Sequence, residues 1–110
     1  MLAGTRILGL VPARGGSKGI PRKNLQKVGG KTLVARALIT LKRVLEVDRI
    51  ILSSDDDEII YEGNQLGDFA PFVRPKELSQ DHSPSLPVFQ HAFSWAEKED
   101  RCEYDWLVVL

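Results

Sequence analysis

Only one cysteine, Cys102, occurs in the chain, so no internal disulfide is possible and no cysteine cluster exists to hold a metal. A reducing cytoplasm is the compartment this implies. No apolar stretch approaches the roughly 20 residues of a membrane span. The segment Met1–Arg6 is too short, and too quickly followed by an apolar run, to act as a secretory leader. An excess of one charge is missing too: 15 Lys and Arg face 15 Asp and Glu, for a formal net charge of zero. That balance speaks against a nucleic-acid or anionic-membrane surface. Trp95 and Trp106 lie in no basic patch interleaved with aromatics, so both read as core residues. Internal repeats and low-complexity segments are absent. What remains is an ordinary globular composition, 43% hydrophobic over 110 residues, enough for one small domain but not two.

Strand and helix patterns alternate along the chain. Ile7-Leu8-Gly9-Leu10-Val11 reads as a buried strand, and positions 12–30 as a loop. From Lys31 to about Glu46, Leu33, Ala37, Leu41 and Leu45 recur every four residues, with Arg36, Thr40 and Arg43 opposite them. This is the pattern of an amphipathic helix. Arg49–Ser53 is a short strand, and the acids Asp55–Glu58 open a helix with Ile59, Gly63 and Leu66 inside and Gly67 as its C-cap. Ala70–Val73 reads as a short edge strand, because Pro71 cannot donate to a ladder. Pro75–Pro87 is a polar loop. A helix follows with Ser85 as N-cap and Leu86, Phe89, Phe93 and Ala96 on one side. Asp105–Leu110 is expected to be a buried strand. Such alternation predicts a parallel, doubly wound sheet between helices.

The densest chemistry lies in the loop after the first strand. Gly15, Gly16 and Gly19 allow a sharp turn with exposed N–H groups, and Arg14, Lys18 and Lys23 add positive charge. Loops at the carboxyl ends of the strands are where α/β sheets place ligands. Singly, each of these residues is also what a solvated turn carries; together, after a strand, they read as a phosphate cradle. Two common cradles are excluded by specific residues. Gly30-Lys31-Thr32 ends like a Walker A loop, but Leu25 stands where its first glycine must be. Gly16 and Gly19 have the spacing of a dinucleotide fingerprint, but Arg14 replaces its first glycine.

The run Pro12-Ala13-Arg14-Gly15-Gly16-Ser17-Lys18-Gly19-Ile20-Pro21-x-Lys23-Asn24 resembles the nucleotide loop of the acylneuraminate cytidylyltransferase (CMP-sialic acid synthetase) family. The resemblance continues through Gly30-Lys31-x-Leu33, Asp48–Asp55, and Arg74-Pro75-x-Glu77-Leu78-x-x-Asp81-x-Ser83. It implies a Rossmann-like three-layer α/β fold of the nucleotide-diphospho-sugar transferase type. Residues 1–110 would be its CTP-binding domain, truncated at the C-terminal end and inactive alone. The implied reaction moves CMP from CTP to a sialic-acid-type 2-keto sugar acid and releases pyrophosphate. Arg14 and Lys23 would contact the triphosphate and carry catalysis, with Gly15, Gly16, Ser17, Lys18 and Asn24 lining the loop. Arg74, Ser83 and Ser85 would lie near the cytosine base. Mg²⁺ would enter with ligands mostly beyond Leu110, and the full-length protein would be a homodimer.

Alternatives stay open at this point. The acceptor could be a pseudaminic, legionaminic or 3-deoxyoctulosonic type of acid; the last is disfavoured because that branch lacks the Gly-Gly-Ser-Lys-Gly run. A non-catalytic nucleotide-binding module is the reading from another class. Asp55–Glu58 invite a metal, yet acids in a first helical turn are favoured by the helix dipole alone, so no metal ligand is assigned. Arg74 could equally pair with Glu77 or Asp81 at the surface, and Ser83 and Ser85 could cap a helix. His82 and His91 read as surface or boundary residues.

Overall fold

The computed structural model describes residues 4–15, 23–80 and 84–110, with Lys23 described in its backbone only. Strand β1 (Ile7–Pro12) is central, flanked by β4 (Arg49–Ser53) and β5 (Trp106–Val109), both parallel to it. A central strand covered on both faces must be apolar throughout, which is why Ile7–Val11 carries no alternation. Leu8 and Leu10 point to one face, where they pack with Ile51, Ala92 and Ala96; the latter two belong to α3 (Ser85–Asp100). Val11 and Ala13 point to the other, with residues of α1 (Leu33–Lys42) and α2 (Asp57–Asn64). The result is the expected three-layer α/β arrangement. Among the described residues no helix is long and apolar enough to cross a membrane.

Boundaries differ from expectation where tertiary contacts intervene. The loop expected over 12–30 contains a 3-10 turn, Lys23–Leu25, and a small antiparallel hairpin of β2 (Lys27–Val28) and β3 (Lys31–Thr32). Gly29 and Gly30 have φ of +61° and +83°, the conformation of a two-residue hairpin turn. Arg36 donates from α1 to the Val28 carbonyl and ties the hairpin back. Helix α1 starts at Leu33, because the Thr32 hydroxyl accepts the Ala35 N–H at 3.1 Å as its N-cap. It stops at Lys42, leaving Leu45 83% exposed. There the chain turns so that Asp48 can meet β1: its N–H donates to Ile7 O at 2.9 Å, and its carboxylate accepts the Ile7 N–H at 2.8 Å.

Helix α2 is capped at its start by Asp56, and its C-cap is Gln65, two residues before the expected Gly67. The Ala70–Val73 segment is not a strand. It runs beside β4, tied by Leu52 N–H to Phe69 O and Arg74 N–H to Ser54 O, while Pro71 offers no donor between them. Pro84, not Ser85, occupies the cap position of α3. Of the expected inner face, Ala96 is buried and Phe89 and Phe93 pack against the core, but Leu86 is 61% exposed, and Val88 and Ala92 are the other buried residues of α3. Strand β5 is not buried: Trp106 is 65% exposed and Val108 39%. Among the described elements β5 pairs only with β1, and α1 rests over β1 and β4. Trp95 is half-buried against Phe72, which also meets the His91 ring edge-on at 4.9 Å.

Candidate nucleotide site at the carboxyl ends of the strands

Where β1 and β4 end, their chains are knitted together. The Ala13 N–H donates to Ser53 O at 2.9 Å, and the Gly15 N–H donates to Asp55 Oδ1 at 3.0 Å. Gly15 is buried so closely that a Cβ there would lie 2.4 Å from Asp56 Oδ2 and 2.8 Å from Asp56 Cβ. Asp56 cannot easily retreat, since its Oδ1 accepts the Glu58 and Ile59 N–H groups as the cap of α2. Asn24 returns to the same point and donates its side-chain amide to Arg14 O at 3.3 Å.

Arg74 reaches this junction from the other side. Only 4% exposed, its guanidinium donates to Ser53 Oγ at 3.1 Å, Ser53 O at 2.8 Å and Leu78 O at 3.3 Å. Burial pulls it below the ordinary arginine value; the Asp55 charge opposes that shift and the Arg14 charge adds to it. The charges of Asp55 and Arg14 are thus both felt at the buried Arg74 guanidinium. The Ala13 and Gly15 N–H groups beside them are spent on Ser53 O and Asp55, so they fix the shape of the strand end.

Of the residues expected at a site, the structure therefore brings together Arg14, Gly15, Asn24 and Arg74. Ser85 is an exposed first residue of α3 and takes no part in these bonds. Gly16, Ser17, Lys18 and Ser83, like the Lys23 side chain, lie outside the described residues. Sequence reasoning missed Ser53 as the hub and Asp55 as the acceptor for Gly15. Two small hydroxyl residues and an acid at a strand end were the available signal. Among the described residues no group of three or more His, Cys, Asp or Glu could hold a metal. Asp55 and Asp56 are engaged with backbone N–H groups, so the described residues do not fit a metal cage.

The family model described as Cytidylyltransferase matches residues 8–99, which include every described part of this junction. The chain belongs to the cytidylyltransferase family. Within it, this cytidylyltransferase chain is 41% identical over 101 residues to pseudaminic acid cytidylyltransferase of Campylobacter jejuni subsp. jejuni serotype O:2. That match covers 92% of this chain and 43% of the relative. It is 31% identical over 91 residues to N-acylneuraminate cytidylyltransferase of Escherichia coli O18:K1:H7, covering 82% of this chain and 21% of that one. The chain thus spans less than half the length of these relatives. A solved CMP:2-keto-3-deoxy-manno-octonic acid synthetase, complexed with CTP, shares the fold at a TM-score of 0.70 and 20% identity. That likeness covers 96% of this chain and 40% of the other.

Proposed function

We propose that this chain is the CTP-binding part of an enzyme that transfers CMP from CTP to a nine-carbon 2-keto sugar acid. The observation that carries the reading is the junction at the ends of β1 and β4, where Asp55 holds Gly15, Asn24 holds the Arg14 carbonyl and Arg74 holds Ser53, in a chain of the cytidylyltransferase family. In the reaction, the anomeric hydroxyl oxygen attacks the α-phosphorus in line. The new O–P bond forms as the bond to the α,β-bridging oxygen breaks, the hydroxyl proton passes to solvent water, and pyrophosphate leaves. Arg14 and the Lys23 ammonium would neutralise the triphosphate, while the Gly-rich turn fixes its geometry. Gly16, Ser17, Lys18 and Asn24 would line the same loop, with Ser83 and Ser85 towards the base. Mg²⁺ is part of the proposal only as a counter-ion of the triphosphate, held mainly by groups outside this chain.

The acceptor is a sialic-acid-type molecule in this reading. The higher identity to a pseudaminic acid cytidylyltransferase than to an N-acylneuraminate one favours the pseudaminic type within that class. A cytoplasmic homodimer completes the proposal; the lone, half-buried Cys102 fits a reducing compartment.

Pyrophosphate release by the intact protein with CTP and Mg²⁺ tests it, with pseudaminic acid, N-acetylneuraminate, a legionaminic acid and 3-deoxyoctulosonate offered in turn. Release with the first above all is expected. Release with none of them, despite CTP binding, would favour the non-catalytic module. Residues 1–110 alone should show no turnover.

A further inference from the structure

The Ser53 carbonyl is where two loops converge. A peptide oxygen has two lone pairs, and here one takes the Ala13 N–H and the other the Arg74 guanidinium. Through Ala13 the carbonyl fixes the end of β1, and two residues later Gly15 is held by Asp55. Through Arg74 it fixes the segment that runs on to Leu78, whose own carbonyl takes a third guanidinium bond. All three guanidinium nitrogens donate to the protein. Burying such a charge is costly unless bonds and an opposite charge offset it, and the Ser53 fork and Asp55 supply both. Ser53 and Ser54 are themselves fully buried, so the fork is shielded from water.

We propose that Arg74 is a positioning residue, acting through the Ser53 carbonyl to fix the Ala13–Gly15 backbone for the phosphates of a nucleotide rather than reading its base. The proposal rests on the nucleotide-binding reading above and assigns Arg74 its part in it. A lysine cannot take over, because a point charge on a flexible stem does not span Ser53 O and Oγ together.

Two measurements on the intact protein test this, with Arg74→Lys and Ser53→Ala as variants. The first needs no nucleotide. Amide hydrogen exchange at Ala13 and Gly15 should speed up at least about tenfold in Arg74→Lys, on the scale of a lost charged hydrogen bond, while Leu10 in mid-strand stays protected. Unchanged exchange at Ala13 and Gly15 overturns the proposal. The second is calorimetric titration with CTP, CMP and UTP. The CTP dissociation constant should rise about tenfold, that of CMP less than about threefold, and the preference for CTP over UTP should persist. Equal losses for CTP and CMP, with the preference over UTP gone, would mean that Arg74 reads the base, and the proposal fails. A purely structural role would not separate CTP from CMP. Ser53→Ala removes one arm of the fork and should give a smaller change in the same direction; it carries both measurements if Arg74→Lys does not fold. Wild-type protein that binds no CTP would remove the nucleotide reading, and the exchange data would still decide the positioning role.

Discussion

The two ends of β1 are secured by similar chemistry to different ends. At its start the strand is clasped symmetrically. Asp48 exchanges two bonds with Ile7, and Asp105 does the same with Arg6, each through its N–H and its carboxylate. At its finish a carboxylate again takes a backbone N–H, that of Gly15, but Asp55 does so from the β4 side, and its charge is felt at the buried Arg74. The first end uses charge to set register. The second joins the ends of two strands beside a buried charge, where the chain turns. The difference is one of surroundings, since the bond itself is the same.

The largest break in that comparison should come from Gly15→Ala. Its Cβ would displace Asp56 and with it the cap of α2, costing about 2–4 kcal/mol as overpacking and a lost cap combine. Urea denaturation would show this, and CTP affinity should fall as well. An unchanged midpoint would mean that Asp56 moves aside freely. Asp48→Ala should follow at about 1.5–3 kcal/mol, because a half-buried Ile7 N–H loses a charged acceptor. Asp105→Ala, whose bond is exposed, should cost less than Asp48→Ala. Neither should alter CTP affinity more than about twofold, and a larger loss would merge the two ends into one functional unit.

Near the first end, Tyr104 donates its hydroxyl to Asp100 at 2.6 Å. Burial first, and then that bond, hold the phenol well above its ordinary value of 10.0. The folded protein therefore keeps a proton that the unfolded chain gives up. This stabilisation is complete below about pH 10 and is lost as the pH climbs from there. Tyr104→Phe should cost about 1 kcal/mol at neutral pH, with the two stability curves converging in alkali. Parallel curves up to the highest accessible pH would contradict it. The smallest effect is expected from Asp57→Asn, an exposed acid in the first turn of α2. It should lower stability by a few tenths of a kcal/mol and turnover less than about threefold; a collapse of turnover at unchanged melting temperature would assign it a direct role.

The parts legible in the sequence are those decided locally. β1 shows as an unbroken apolar run, α1 as a stripe of period four, and Arg14, Gly15 and Asn24 as members of one motif. Features decided by distant partners were harder to read. Leu45 continues the helical stripe, yet the helix stops because Asp48 must reach Ile7, 41 residues away. Trp106 and Val108 look like core, but their burial depends on what lies over β5, which composition cannot express. Gly29-Gly30 does signal a hairpin; its strands are two residues each, too short for alternation to be visible. Ser53 is the clearest omission. Its importance lies in a backbone oxygen, and every residue type carries one.

The bond from Asn24 to the Arg14 carbonyl joins positions ten residues apart, so the glycine-rich segment departs from and returns to one point. A tether of this sort separates length from strength. Closing a loop of chain costs only about 0.6 kcal/mol more for each doubling of its length, so the bond fixes where its two ends meet whatever the number of residues between them. Severing the neck is another matter. Without Asn24 the Arg14 carbonyl would lose this donor, and a ligand that needs both positions would itself have to bring them together.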